Sequence, residues 1–157
     1  MNKLVKVFLC AAVMSSIGFS ANAGEFDKAI KARKAYMQVI GFQMGNLGAM
    51  AKGKAPYDAA LAQGFADNIL VLARMDTRAL WPKGSDNVAN PGMTRAKVDA
   101  WTTYPKVKEA NDKLGDAAMK LAAVAGKGVD ALKGAMGAVG KACGGCHKPF
   151  RAPKPKK

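Results

Sequence analysis

The chain has 157 residues, with 25 Lys and Arg against 11 Asp and Glu, a single histidine, and a formal charge of +14 at neutral pH. That length holds one domain with a real core and is too short for two ordinary ones. So basic a chain favours anionic partners, whether an acidic protein surface, phospholipid head groups or nucleic acid.

In chain order, Lys3 and Lys6 flank the start of an apolar run from Leu4 through Phe19, and Ala21-Asn22-Ala23 follows with small residues at the −3 and −1 positions of a cut. This predicts a cleaved secretory signal peptide over residues 1–23. A membrane anchor is the weaker alternative, because the run falls short of the roughly 20 residues a span needs and contains Ser15 and Ser16. Cys10 lies inside the run, but Val7 stands where a lipobox wants Leu. The expected product is an exported, soluble, periplasmic protein without a stable membrane anchor, and export argues against nucleic acid as the partner. Removing residues 1–23 takes away two lysines and no acid, leaving 134 residues and a charge of +12.

The remainder reads as four amphipathic helices with no convincing strand. The first is expected from Glu25 to Met50, on a seam of Phe26, Ile30, Met37, Ile40, Met44 and Leu47 spaced by three and four, with Arg33 in the intervening slot. Gly53 and Pro56 end it. The second runs from Tyr57-Asp58 to about Met75 on Leu61, Phe65, Ile69 and Leu72. Gly, Pro, Asn and Ser then crowd Leu80 to Thr94, which predicts a loop. The third helix, after a short turn near Trp101, spans Tyr104 to Ala125. The fourth, behind a Gly126-Lys-Gly128 break, spans Val129 to Phe150 with Leu132, Met136, Val139, Cys143 and Cys146 on its inner stripe. The fold predicted over residues 24–150 is all-α, an antiparallel up-down-up-down four-helix bundle. Residues 151–157 form a basic tail whose two prolines forbid helix, expected to be disordered.

Cys143-Gly-Gly-Cys146-His147 is the chemically decisive stretch. Without Cys10, the chain keeps only these two cysteines, followed at once by its only histidine. Thiols at i and i+3 can each add to one vinyl group of haem, and His147 is then held beneath the ring with a nitrogen aimed at iron. Alternatives fit less well. A thioredoxin-type pair opens a helix after a strand, whereas this one closes the last helix; a zinc site needs about four ligands; and an exported protein could simply form one disulfide. One motif implies one haem c, attached near the C-terminal helix end inside the bundle.

The position of the motif, together with Lys31-Ala-Arg33-Lys34-Ala-Tyr-Met37, Gly48-Ala-Met-Ala-Lys-Gly53, Ala55-Pro-Tyr-Asp58, Trp81-Pro82-Lys-Gly-Ser85 and Val139-Gly-Lys-Ala-Cys-Gly-Gly-Cys-His-Lys-Pro-Phe-Arg151, resembles the class II c-type cytochromes, the cytochrome c′ group and its low-spin relatives. The likeness covers nearly all of the chain after the signal. With no second histidine, the sixth iron position is left open, taken by Met, or less readily by Lys. Of the seven methionines after the signal, Met37 is singled out by its inward position one turn beyond Arg33, and the resemblance puts it on the distal face. Low-spin members bond iron there, while high-spin members present a non-bonding residue; both readings stand.

Arg33 either snorkels outward or, as the resemblance implies, pairs with a haem propionate, with Lys34 nearby as a second contributor. Trp81 and Trp101 are most simply structural. The leading expectation is an electron carrier rather than an enzyme, with His147 proximal and Met37 distal, meeting acidic redox partner proteins. The alternative is a five-coordinate protein binding nitric oxide or carbon monoxide. A homodimer through the first two helices is a further expectation from the resemblance. Exchanging Cys143 or Cys146 for Ser is expected to abolish normal covalent maturation, read as loss of the two-thioether position of the pyridine haemochrome band; that position kept in both variants would contradict the motif reading.

Overall fold

The computed structural model describes Gly24 and residues 26–154. The expected signal peptide, at residues 1–23, lies outside them. Five α-helices follow in order: α1 (Asp27–Ala51), α2 (Ala59–Arg74), the short α3 (Asp99–Thr102), α4 (Tyr104–Ala122) and α5 (Val129–Phe150). A single 3-10 turn lies at Arg78–Leu80. Among the described residues there is no strand, only an isolated antiparallel bridge between Ala96 and Arg151, and no helix long and apolar enough to cross a membrane.

Local chemistry sets the helix ends. The Asp58 side chain accepts the Leu61 amide at 2.8 Å, capping α2 and satisfying a donor that the first turn leaves free. Gly53 follows α1 at φ +67, a left-handed conformation that costs glycine nothing. The amides of Gly53 and Lys54 return to the carbonyls of Met50 and Ala49. Tyr57 ties the two turns at this end together: its hydroxyl donates to Ala125 O at 2.8 Å and accepts from the Gly128 amide at 2.9 Å.

The four long helices pack around one core, α1 on α2, α2 on α4, α4 on α5 and α5 back on α1. Leu47, Ile69, Leu121, Leu132 and Val139 are fully buried in it. Ala62, Ala66 and Ala73 on α2 and Ala117 and Ala118 on α4 are buried with them, and such small side chains let backbones approach closely. On α1 the buried stripe runs through Ile30, Arg33, Tyr36, Ile40, Gln43, Leu47 and Met50. Met37 and Met44 lie at its margin instead of on it, a difference from the expected seam. Each follows a buried residue, Tyr36 or Gln43, by one position, 100° further round the helix, which places it on the flank of the stripe.

The predicted loop is longer than the sequence pattern marks, reaching from α2 to α3, and it is well bonded. Asp86 is buried, and its carboxylate accepts the amides of Val88 and Ala89 at 2.8 and 3.0 Å. Asn90 donates to Gly84 O at 2.7 Å, and Asn87 N donates to Ala96 O at 2.7 Å. Gly84 has φ +92, and the Phe26 ring lies 3.3 Å from where a Cβ would sit.

The Ala89 amide first, then that of Val88 and the charge of Arg33, hold the Asp86 carboxyl below its ordinary range against the opposing effect of burial. A group depressed in the folded state stabilises it fully above the unfolded pKa, near 4. That contribution is lost as pH falls through the lower folded value. Acid titration followed by fluorescence of the adjacent tryptophans is therefore expected to show loop release below about pH 4, and Asp86→Asn to remove this transition and lower stability at pH 7 by about 1–3 kcal/mol. A pH-independent signal down to acid unfolding would contradict it.

Candidate functional site

Cys143, Cys146 and His147 occupy the last two turns of α5 at spacings of three and four, so they share one face of that helix. All three are half-buried, and both thiols are free. Burial raises the pKa of each thiol, with Arg151 opposing the shift, which keeps them protonated at neutral pH. Burial lowers that of His147, and the positive charges of Arg151 and Arg95 add to the effect. The imidazole is thus neutral, the form that binds a metal.

The helix opposite is α1, running antiparallel to α5. Their register is marked by Gly48, whose Cβ position lies 3.9 Å from the Met136 Cε methyl. Met37 precedes Gly48 by eleven residues, as His147 follows Met136 by eleven. The two therefore come to the same level of the bundle. Here α1 and α5 make the loosest contact of the four adjacent long-helix pairs. Gly41 on α1 and Gly140 and Gly144 on α5 have open space where a Cβ would be, and Met37 is left 36% exposed. Two protonated thiols and a neutral imidazole on α5, with a thioether at the same level of α1, fit a planar apolar group carrying an iron. Haem matches that donor set and that shape.

Arg33 lies one turn before Met37 and is 3% exposed. Its Nη1 donates to Leu80 O (3.1 Å) and Ser85 Oγ (2.9 Å), its Nη2 to Ser85 O (2.8 Å) and Thr94 Oγ1 (3.0 Å). The guanidinium carbon sits 4.5 Å from the Trp81 ring centroid and 5.7 Å from that of Trp101. The indoles meet at 5.8 Å, and Trp101 Nε1 donates to Trp81 O at 3.0 Å. Arg33 thus does not snorkel outward. All four Nη hydrogens are committed to the loop, and Nε–H is its one donor with no partner among the described residues. Burial lowers its pKa while Asp86 opposes, but a guanidinium stays charged. Lys34, also singled out by the sequence, is exposed and donates to Met93 O at 3.3 Å.

The loop continues from Thr94 to the far side of the site. Ala152 N donates to Arg95 O at 2.8 Å and Lys97 N to Phe150 O at 2.9 Å, flanking the Ala96–Arg151 bridge. Arg151 and Ala152, placed in the tail by sequence, are tied down in this way. Arg95, His147, Lys148 and Arg151 line an open cleft beside the histidine. Sequence reasoning missed Ser85, Thr94 and this strap of residues 94–97. The only local signal was the Trp-Pro-Lys-Gly-Ser stretch, which marks a turn and names no partner.

Residues 28–151 match the family model described as Cytochrome C′. The chain is 33% identical over 143 residues to cytochrome c′ of Cereibacter sphaeroides, covering 91% of this chain and 95% of that protein. It is also 33% identical over 130 residues to cytochrome c-554 of Cereibacter sphaeroides, covering 83% and 97%. Among solved structures, cytochrome c′ from Rhodobacter spheriodes superposes with a TM-score of 0.80 at 32% identity, covering 83% of this chain and 99% of that one. A cytochrome c′ with ligand-controlled dimer dissociation gives 0.75 at 30% identity, covering 82% and 97%.

Arg33→Met, which keeps the apolar stem and removes every donor, is expected to destabilise the protein by about 2–4 kcal/mol by leaving the Ser85 and Leu80 carbonyls unpaired. Urea unfolding followed by tryptophan fluorescence measures this; a change under 0.5 kcal/mol, on the order of a neutral surface substitution, would contradict the described role.

Proposed function

The chain belongs to the cytochrome c′ family, class II c-type cytochromes with one covalently attached haem c, and on that premise we propose that it is a periplasmic haem protein whose iron keeps an open distal position for nitric oxide or carbon monoxide. When bound, the haem supplies a one-electron redox centre and an axial site for such a diatomic ligand. Cys143 and Cys146 are the proposed tethers: each S–H adds across one vinyl C=C, forming a C–S bond and passing its proton to the other vinyl carbon. His147 offers a neutral imidazole nitrogen as proximal ligand. Met37 covers the opposite face without bonding. The free Nε–H of Arg33 and the Lys34 ammonium are the donors proposed for the propionates.

The observation that carries this reading is that Met37 on α1 and His147 on α5 share one level of the bundle, between the two adjacent long helices that pack least closely. Met37 stands at the margin of the buried stripe of α1, on the side toward α5. The likeness to proteins named cytochrome c′ supports the same reading.

A second reading has its own support: a six-coordinate electron carrier with Met37 bonded to iron, favoured by the likeness to a cytochrome c-554 and by the placing of Met37 opposite His147. Under either reading, a homodimer through α1 and α2 is proposed. Val39, Phe42 and Leu61 are exposed there, Phe42 meets the half-buried Phe65 edge-on at 6.3 Å, and a similar cytochrome c′ dissociates from a dimer under ligand control.

The test is the visible spectrum of the ferric protein at neutral pH with CO addition to the ferrous form. A high-spin ferric spectrum with CO binding, both kept in Met37→Ala, is expected. A red-edge methionine–iron band that disappears in Met37→Ala would overturn the open-site reading in favour of the carrier.

A further inference from the structure

The charges of this protein are sorted by helix. On α1 and α5 every acidic residue stands in a first turn, Asp27 and Asp130. Beyond those turns the two helices carry only basic charge, and after Asp130 no acid follows to the end of the chain. By contrast, α4 carries Glu109, Asp112 and Asp116 among its lysines and spends charge internally, Lys108 on Asp112 at 2.7 Å and Lys113 on Glu109 at 2.6 Å. α2 balances Asp67 against Arg74.

On α5 Lys133 is paired with Asp130 at 3.4 Å, while the exposed Lys141 and Lys148, seven residues or two helical turns apart, share one outward face near His147. Lys34 extends it onto α1 across the gap, while Arg95 and Arg151 extend it around His147. Gly41, Gly140 and Gly144, with no atom near where a Cβ would be, add no side-chain cover to this face. Absence of acid and absence of side-chain cover coincide there.

We propose that the α1/α5 face is a docking surface for an acidic redox protein that delivers electrons to the haem. The inference rests on the haem lying in the α1/α5 gap, not on how its iron is coordinated. Charge of one sign confined to one face orients an incoming partner as well as attracting it, so encounters fall on the side where the haem edge is least covered. A partner held at the α2/α4 side would meet paired charges and a packed interface of buried alanines. One electron would pass from the reduced partner to ferric iron, giving the ferrous state that carbon monoxide requires.

The measurement is stopped-flow reduction of the ferric holoprotein by reduced flavodoxin, an acidic one-electron donor, at a series of ionic strengths. Lys141→Glu/Lys148→Glu is compared with Lys120→Glu/Lys127→Glu, which changes net charge equally at the opposite end of α4. The first pair is expected to slow reduction about tenfold at low salt and to flatten its salt dependence, the second less than about twofold. The neutralising pair Lys141→Gln/Lys148→Gln should fall between, and an unchanged visible spectrum in each variant shows that the site is intact. Equal slowing by both reversal pairs would show that only net charge matters, and a wild-type rate independent of salt would remove steering altogether; either overturns the proposal. The spin state of the iron is read separately, so this outcome and that of the open-site reading do not confound one another.

Discussion

A buried guanidinium organises the functional end of this molecule. Arg33 projects from α1, lies against two indoles, and gives four hydrogen bonds to a loop 47–61 residues away. A charge in that position is tolerable because every Nη hydrogen is satisfied and aromatic faces cover the rest. Together with Lys34 on Met93 O and the Phe26 ring against Gly84, it holds residues 80–94 on α1. Through Thr94 the same loop passes to Arg95–Lys97, which bonds the backbone just after His147. One side chain on α1 therefore helps to position the segment that follows His147.

The opposite end of the bundle is closed by Tyr57, and the α2/α4 side by alanine-rich packing. The sides of the bundle differ in what they can do. Where alanines face one another, helices meet closely and leave no room. Between α1 and α5 the facing residues are glycines and methionines, and the helices stand apart. The proposed site for a flat prosthetic group lies where side-chain volume is smallest, beside the cysteines and histidine of α5.

Much of this was legible in the sequence because it is local. The Cys143–His147 spacing, the unbroken stripe of α5, the caps at Asp58 and Gly53 and the turn at Trp101 each depend on residues within a few positions of one another. The bundle followed from four such stripes and short connections. The partners of Arg33 were not legible, since nothing near position 33 indicates Ser85 or Thr94, and an arginine on an apolar stripe is compatible with several fates. The exposure of Met37 was also hidden, because helical spacing gives a direction only to within a residue, and the margin of a stripe looks like its centre. Charge totals were plain from composition, whereas their sorting by helix needed the packing order.

The central claim is that a haem occupies the gap between α1 and α5, tethered from α5 with Met37 facing it across the iron. A crystal structure of the ferric holoprotein is the most direct test. The account predicts the ring between those helices, thioethers to Cys143 and Cys146, His147 on iron, the Arg33 bonds to Ser85 and Thr94 retained, and the Met37 sulfur beyond bonding distance. A haem seated elsewhere, or α1 and α5 closed upon one another with the ring excluded, would contradict it.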